Sequence, residues 1–174
     1  MAKKVRNFEF IDKEMRKMSF GILSSIDQNG MSHSTGIIYG VAPKTSKFSL
    51  YLLTDKNYKK VKNIKANNSI SFVIPFPHHV LRFVPASCIQ FQATAELIPF
   101  IDEEAQSVFK NGSKILKMNI DQINSLKGQD NAIFIKIIPH NKLFCYGVGL
   151  SIMEIRKNVE TGSYSVTIPK EKSF

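Results

Sequence analysis

No apolar stretch of this chain approaches the roughly 18 residues that a membrane-spanning helix requires, so none is expected to cross a bilayer as a helix. Cysteine is scarce. Cys88 and Cys145 lie too far apart for a CxxC redox pair or a paired-cysteine metal site, and reduced, buried thiols in a cytoplasmic protein are the expectation. Acidic residues are in deficit: 14 Asp and Glu stand against 24 Lys and Arg, a formal net charge of +10. That balance favours anionic partners such as phosphorylated small molecules, nucleic acid or a membrane surface. There is no basic tail and no arginine-rich run, however, so nucleic acid is not the expected partner. No continuous apolar stretch follows the basic residues 1–6, so no signal peptide is expected. Repeats, low-complexity tracts and interdomain linkers are also missing.

What is present suffices for one domain over residues 1–174. With 43% hydrophobic residues in 174, folding should bury about 70% of the unfolded surface. Residues 12–18 predict a short helix, and Phe20–Ile26 a strand. Asp27-Gln28-Asn29-Gly30 carries the Asn-Gly signal of a tight hairpin, whose second strand runs from Ser32 to Val41. Phe48–Leu53 is an apolar strand. A helix follows from Tyr58, ending near Asn67-Asn68, where asparagine suits a left-handed position. Ile70–Ile74 is a short strand. Cys88–Ile98 has the clearest period-2 alternation in the chain: Ile89, Phe91, Ala93, Ala95 and Leu97 on one face. Asp102 should cap a helix to Lys110, and residues 121–127 predict a second one. Ala132–Ile138, Leu143–Ile155 (with Gly147 and Gly149 as bulges) and Tyr164–Ile168 predict the last strands. Six to eight strands joined by short turns, with a few short helices, predict a mainly β fold, a small antiparallel barrel with helical decoration.

One cluster points to chemistry. Thr54-Asp55-Lys56-Asn57-Tyr58-Lys59-Lys60-Val61-Lys62-Asn63-Ile64 follows an apolar strand, and Tyr58, Val61 and Ile64 recur at helical spacing. With Asn57 as cap, Lys59 and Lys60 fall in the first turn. Cations there oppose the helix dipole, at a cost of a few tenths of a kcal/mol or more; a bound anion reverses that sign and accepts the free N–H bonds. A phosphate site is one reading and a solvated lysine face is the other. It is not a P-loop, because no glycine lies between Thr54 and Asn68.

The series from Met15 to Ile138 resembles the pyridoxamine 5′-phosphate oxidase-like flavoproteins, the FMN-binding split barrels. The resemblance runs through Phe20–Asp27, the Asn29-Gly30 hairpin, Leu50-Tyr51-Leu52-Leu53-Thr54, Tyr58–Ile64 and the strand closing on Ala93-Thr94-Ala95-Glu96-Leu97. It implies a split β-barrel binding FMN without a covalent bond. In that family a Thr followed four residues on by Ser-Arg-Lys holds the phosphate. Thr54 and Lys60 match, while Tyr58 and Lys59 replace the serine and arginine. Leu52 and Leu53 lead into this site. Ser34, Thr35, Gly36 and Ile37 correspond to the strand that lies along the isoalloxazine ring. The resemblance further implies a cytoplasmic homodimer with FMN between the subunits and a small-molecule substrate or nicotinamide reductant. Haem and a deazaflavin are the alternative cofactors.

The departures matter. Where vitamin B6 oxidases carry arginine and lysine on that strand, this chain has Thr35 and Gly40. Those oxidases also end in a tryptophan-containing, arginine-rich segment; here tryptophan is absent and residues 163–174 do not match. The expectation is therefore an FMN-dependent oxidoreductase of unknown substrate, distinct from pyridoxamine phosphate oxidase; the alternative is a non-catalytic haem- or ligand-binding barrel. No catalytic acid or base stands out, and nothing forms a Ser/His/Asp triad. Adjacent His78 and His79, in a proline-rich loop, tend to diverge and are expected to line the flavin pocket rather than to bind metal. His33 is expected to face solvent, and Cys88 to be a small buried hydrophobe. Asp102, Glu103 and Glu104 are explained by a helix start.

Overall fold

A computed structural model of the chain describes residues 6–76, 86–125, 128–151, 153–154 and 162–174. His78 and His79 lie outside them. The elements in order are α1 (Phe8–Lys17), β1 (Phe20–Ile26), β2 (Ser32–Val41), β3 (Leu50–Asp55), α2 (Lys59–Ala66), β4 (Ser69–Phe76), β5 (Ser87–Pro99), α3 (Glu103–Lys110), α4 (Lys114–Ser125), β6 (Ala132–Pro139), β7 (Lys142–Tyr146) and β8 (Ser163–Thr167). All pairings are antiparallel.

The sheet runs β4-β1-β2-β3-β6-β5, and β4 pairs back onto β5. Six strands thus close a barrel, which removes the open edges an antiparallel sheet would otherwise present. The long strand β5 makes the split. Its second half, Ala93 to Pro99, pairs with β6, while Cys88, Ile89 and Gln90 pair with β7. β8 continues outward as the edge strand beyond β7. The period-2 pattern of β5 is realised: Ile89, Phe91, Ala93 and Ala95 are buried and Gln90, Gln92 and Glu96 face outward.

The described residues form two apolar clusters. The barrel interior holds Leu23, Tyr39, Leu50, Leu52, Phe72, Phe91, Ile135 and Ile137 among others. The second lies outside the barrel, where α3 and α4 cover β3 and β6 through Tyr51, Leu53, Phe109, Leu116, Ile120 and Phe134. β3 is covered on both faces, and for that reason its sequence is apolar without alternation.

Several boundaries differ from the sequence expectations. α1 begins at Phe8 rather than Asp12, because the Asn7 side chain accepts the Phe10 N–H at 3.0 Å. α2 is capped by Tyr58, not Asn57, and no side chain caps it; Asn57 instead closes a turn by donating its N–H to Asp55 Oδ1 at 2.7 Å. Asn67 ends α2 in an extended conformation (φ −147°), not a left-handed one, because the chain passes directly into β4. α4 starts at Lys114, seven residues before the expected start, since Leu116 and Ile120 supply the buried stripe. β7 stops at Tyr146: Gly147 (φ 69°) and Gly149 (φ 72°) adopt left-handed backbone, so the strand does not continue through 147–151, and Ile152 and Ile155 of the expected strand lie outside the described residues.

Gly21 is required by packing. A Cβ there would lie 2.4 Å from the Phe72 ring, which is fully buried and packs against Tyr39 and Phe91. Gly21→Ala should destabilise the fold by about 1–3 kcal/mol, the usual cost of overpacking, read as a lowered urea midpoint.

Candidate functional site

β3 carries Leu53 and Thr54 out of the barrel, and α2 begins five residues later. Between this junction, the middle of β2 and the last turns of α4 lies a cleft of about 430 Å³. Gly36 and Ile37 of β2, Leu53, Thr54 and Asp55 of β3, and Tyr58 and Lys60 at the start of α2 form one side. Asn119, Gln122 and Ile123 of α4 form the other, and Asn131 and Ala132 extend the first through the β3–β6 pairing, Ala132 opposite Asp55 and the Asn131 carbonyl accepting the Lys56 N–H at 2.8 Å.

Lys60 dominates the electrostatics. It is 8% exposed. Its Nζ donates to Thr54 Oγ1 at 3.4 Å and lies 4.5 Å from the centroid of the Tyr58 ring. Among the described residues no carboxylate pairs with it. Burial holds its ammonium below the ordinary lysine range. α2 has no acidic residue in its first turn and no side-chain cap, so its free N–H groups add to the positive field. Asp55 also lines the cleft, but its Oδ1 is held by the Asn57 N–H.

The ten residues expected at the site are not all gathered here. Gly36, Ile37, Leu53, Thr54, Tyr58 and Lys60 line the cleft. Lys59 does not; its Nζ pairs with Asp27 Oδ2 at 3.3 Å and tethers α2 to the β1–β2 hairpin. Leu52 is fully buried in the barrel core. Ser34 is exposed, its Oγ 2.7 Å from Ser24 Oγ on β1, and Thr35 sits opposite Leu23. The space in which a Gly36 Cβ would stand is taken by the Phe20 ring, 2.7 Å away, an aromatic covering a cross-strand glycine. Lys56 donates to Asp130 O at 2.6 Å, and Lys62 and Lys65 are exposed, so these three belong to the solvated face.

Other candidates resolve structurally. His33 is half-buried rather than solvent-facing, opposite Ser25, whose hydroxyl accepts from Asn63 Nδ2 of α2 at 3.0 Å. Cys88 is half-buried, and burial raises its thiol; burial pushes Cys145 up to about 12. Both therefore stay protonated and poorly nucleophilic at neutral pH. Asp102 caps α3 by accepting the Ala105 N–H at 2.9 Å, and Glu104 accepts from Tyr51 Oη at 2.8 Å. Among the described residues no three His, Cys, Asp or Glu side chains converge as a metal site, and no helix is long and apolar enough to cross a membrane.

The α4 wall and Asn131 were missed by sequence reasoning. Their signal was the amide-rich run Asn119, Gln122, Asn124, Gln129, Asn131, which a helix placed at 121–127 left half outside.

No family model matches the chain, and no curated protein matches it. Solved structures do share its fold. HutZ, a haem storage protein from Vibrio cholerae, aligns with TM-score 0.63 at 17% identity, over 81% of this chain and 96% of HutZ. A haem-binding protein from Mycobacterium smegmatis aligns with TM-score 0.64 at 13% identity, over 94% of this chain and 59% of that one. An FAD-binding protein from Mesorhizobium loti aligns with TM-score 0.54 at 14% identity, over 75% of this chain and 85% of that one. The chain thus has a split β-barrel fold, which it shares with a haem storage protein, a haem-binding protein and an FAD-binding protein.

Proposed function

We propose that the cleft binds FMN and that the protein is an FMN-dependent oxidoreductase. The observation that carries this reading is Lys60. A buried ammonium without a counter-ion is costly, and an anion delivered by a ligand would offset that cost while accepting the N–H groups of α2. The Thr54 hydroxyl and the Lys60 ammonium would hold the phosphate. Ile37, Leu53 and Ile123 would exclude water from the ring. FMN, when bound, supplies hydride chemistry with a small organic substrate or a reduced nicotinamide. The residues here bind, orient and desolvate; none lining the cleft is arranged as an acid or base.

The cofactor would lie between two copies of the chain. α3 and α4 cover one part of the barrel exterior, and the cleft sits at the border of the uncovered part. Across that uncovered surface run the register rows Gly36–Ile22–Val73–Gln90–Phe144 and Ser34–Ser24–Ser71–Gln92. Neither row contains a charge, although the chain carries 38 charged residues, and Phe20 and Phe144 are each 48% exposed there. An uncharged face of this kind suits a homodimer interface.

A haem is the second reading, favoured by the haem-binding proteins that share the fold. Its propionates would take Lys60, and Tyr58, which lines the cleft, would offer its phenol to the iron. The purified protein decides. A flavin absorbance spectrum, mass-spectrometric identification of FMN and a dimeric mass by sedimentation are expected. A Soret band with no flavin would replace FMN by haem, and a protein that neither retains FMN nor takes it up would refute the flavin reading.

A further inference from the structure

A second cavity, of about 450 Å³, shares no residue with the Lys60 cleft. α1, the loop before β3 and the chain after β8 enclose it. Phe8, Asp12 and Arg16 recur every four residues on α1, so one helical face presents all three to the cavity. Phe48 is buried beside them, and its ring meets that of Phe8 edge to face at 5.0 Å. The walls are tied together. The Phe48 N–H donates to the Lys172 carbonyl at 2.8 Å, and Lys172 Nζ donates to the Lys44 carbonyl. The volume falls within the size range of small-organic-ligand pockets.

The lining carries both signs of charge. Asp12 is only 5% exposed, and both its oxygens face a single donor, Arg16 Nε, at 2.9 and 3.0 Å. A carboxylate has about four acceptor sites, so Asp12 keeps capacity to spare. Arg16 Nη1 reaches the Val41 carbonyl at 3.5 Å, and among the described residues no hydrogen bond engages its Nη2. Glu9 and Glu171 also line the cavity, as do Lys13, Lys44 and Lys172. A ligand of one sign would meet like charges here, which disfavours it. A ligand of both signs would bring an ammonium to Asp12 and a carboxylate to Arg16. We infer that this cavity is a second ligand site, for a free α-amino acid with an apolar side chain. Its two charged groups sit on one carbon, which matches protein charges 2.9 Å apart. Its side chain would lie against Phe8, Phe48 and the two prolines of the lining, Pro43 and Pro169. The site stands apart from the flavin reading and does not depend on it.

Calorimetric titration of the whole protein with three probes tests it: L-phenylalanine, 3-phenylpropionate (no ammonium) and 2-phenylethylamine (no carboxylate). L-Phenylalanine should bind at millimolar concentration or below. Each one-charge analogue should bind about tenfold more weakly, or worse, for want of one charge-assisted bond. Asp12→Asn keeps the shape of the side chain and should weaken L-phenylalanine by a similar factor, leaving 3-phenylpropionate no weaker. Arg16→Gln, at the more exposed partner, should weaken L-phenylalanine too and serves if Asp12→Asn does not fold. Saturating FMN and Lys60→Met should both leave L-phenylalanine binding unchanged. No binding of L-phenylalanine, analogues that bind as tightly, or loss of binding in Lys60→Met or under FMN overturns the inference. Selective L-phenylalanine binding by a protein that takes up no FMN upholds this site and sinks the flavin reading.

Discussion

Lys60→Met is expected to weaken FMN binding by about 1.5–3 kcal/mol, the usual contribution of a hydrogen bond to a charged group, while the protein stays folded. Methionine keeps the unbranched stem that fills the space beneath Tyr58 and removes only the ammonium. The stability effect should run the other way. Burial depresses the Lys60 pKa below the ordinary 10.5, so between those two values the unfolded chain binds more protons than the folded one. Stability of the ligand-free protein therefore rises with pH across that alkaline window, and the cost of the buried charge is fully present below it. The methionine variant should lose this rise. Bound phosphate should lessen it too, because an anion draws the folded pKa back up. Calorimetric titration with FMN, together with thermal melts between neutral and alkaline pH, reads both effects. An unchanged affinity in a folded Lys60→Met variant would remove the phosphate assignment.

Phe134→Ala should cost about 3–5 kcal/mol of stability, in the range for truncating a buried aromatic. Phe134 is fully buried on the outward side of β6. Its ring stacks on Phe100 at 5.6 Å and meets Phe109 of α3 at 5.4 Å. The same cluster contains Leu116 and Ile120 of α4 and Leu53, which lines the cleft. The loss should therefore be felt at the site as well as in the global midpoint. Hydrogen exchange should accelerate in α4, and FMN affinity should fall with it. Phe72→Ala, a comparable truncation inside the barrel, should lower the urea midpoint without singling out α4. If Phe134→Ala leaves α4 as protected as in the wild type, the exterior cluster does not hold the cleft wall in place.

The strands were legible in the sequence wherever one face met the core and the other met solvent. β5 is the clearest case, and the Asn29-Gly30 hairpin placed β1 beside β2 through turn chemistry alone. Strand-to-helix order was also readable at Thr54 to Lys60, because a run of lysines at a helix start conflicts with the dipole. Less legible were elements whose boundaries depend on partners distant in sequence. For α4 the stripe Leu116, Ile120 and Ile123 is present at helical spacing, but polar Lys117, Asn119 and Asp121 around it leave the start undefined until the stripe meets Phe109 and Phe134. The strand after His140 was drawn too long because glycine reads the same in a bulge as in a left-handed stop.

The two lysines of the cluster separate the two kinds of knowledge. By composition and spacing alone, Lys59 and Lys60 were equivalent cations in one helical turn. Tertiary structure made them different: the hairpin brings Asp27 to Lys59, while the packing of α2 against the barrel turns Lys60 inward beside Thr54. Local sequence sets where a helix begins and what charge it carries. Which of those charges is buried without a counter-ion depends on surfaces that only the closed barrel brings together.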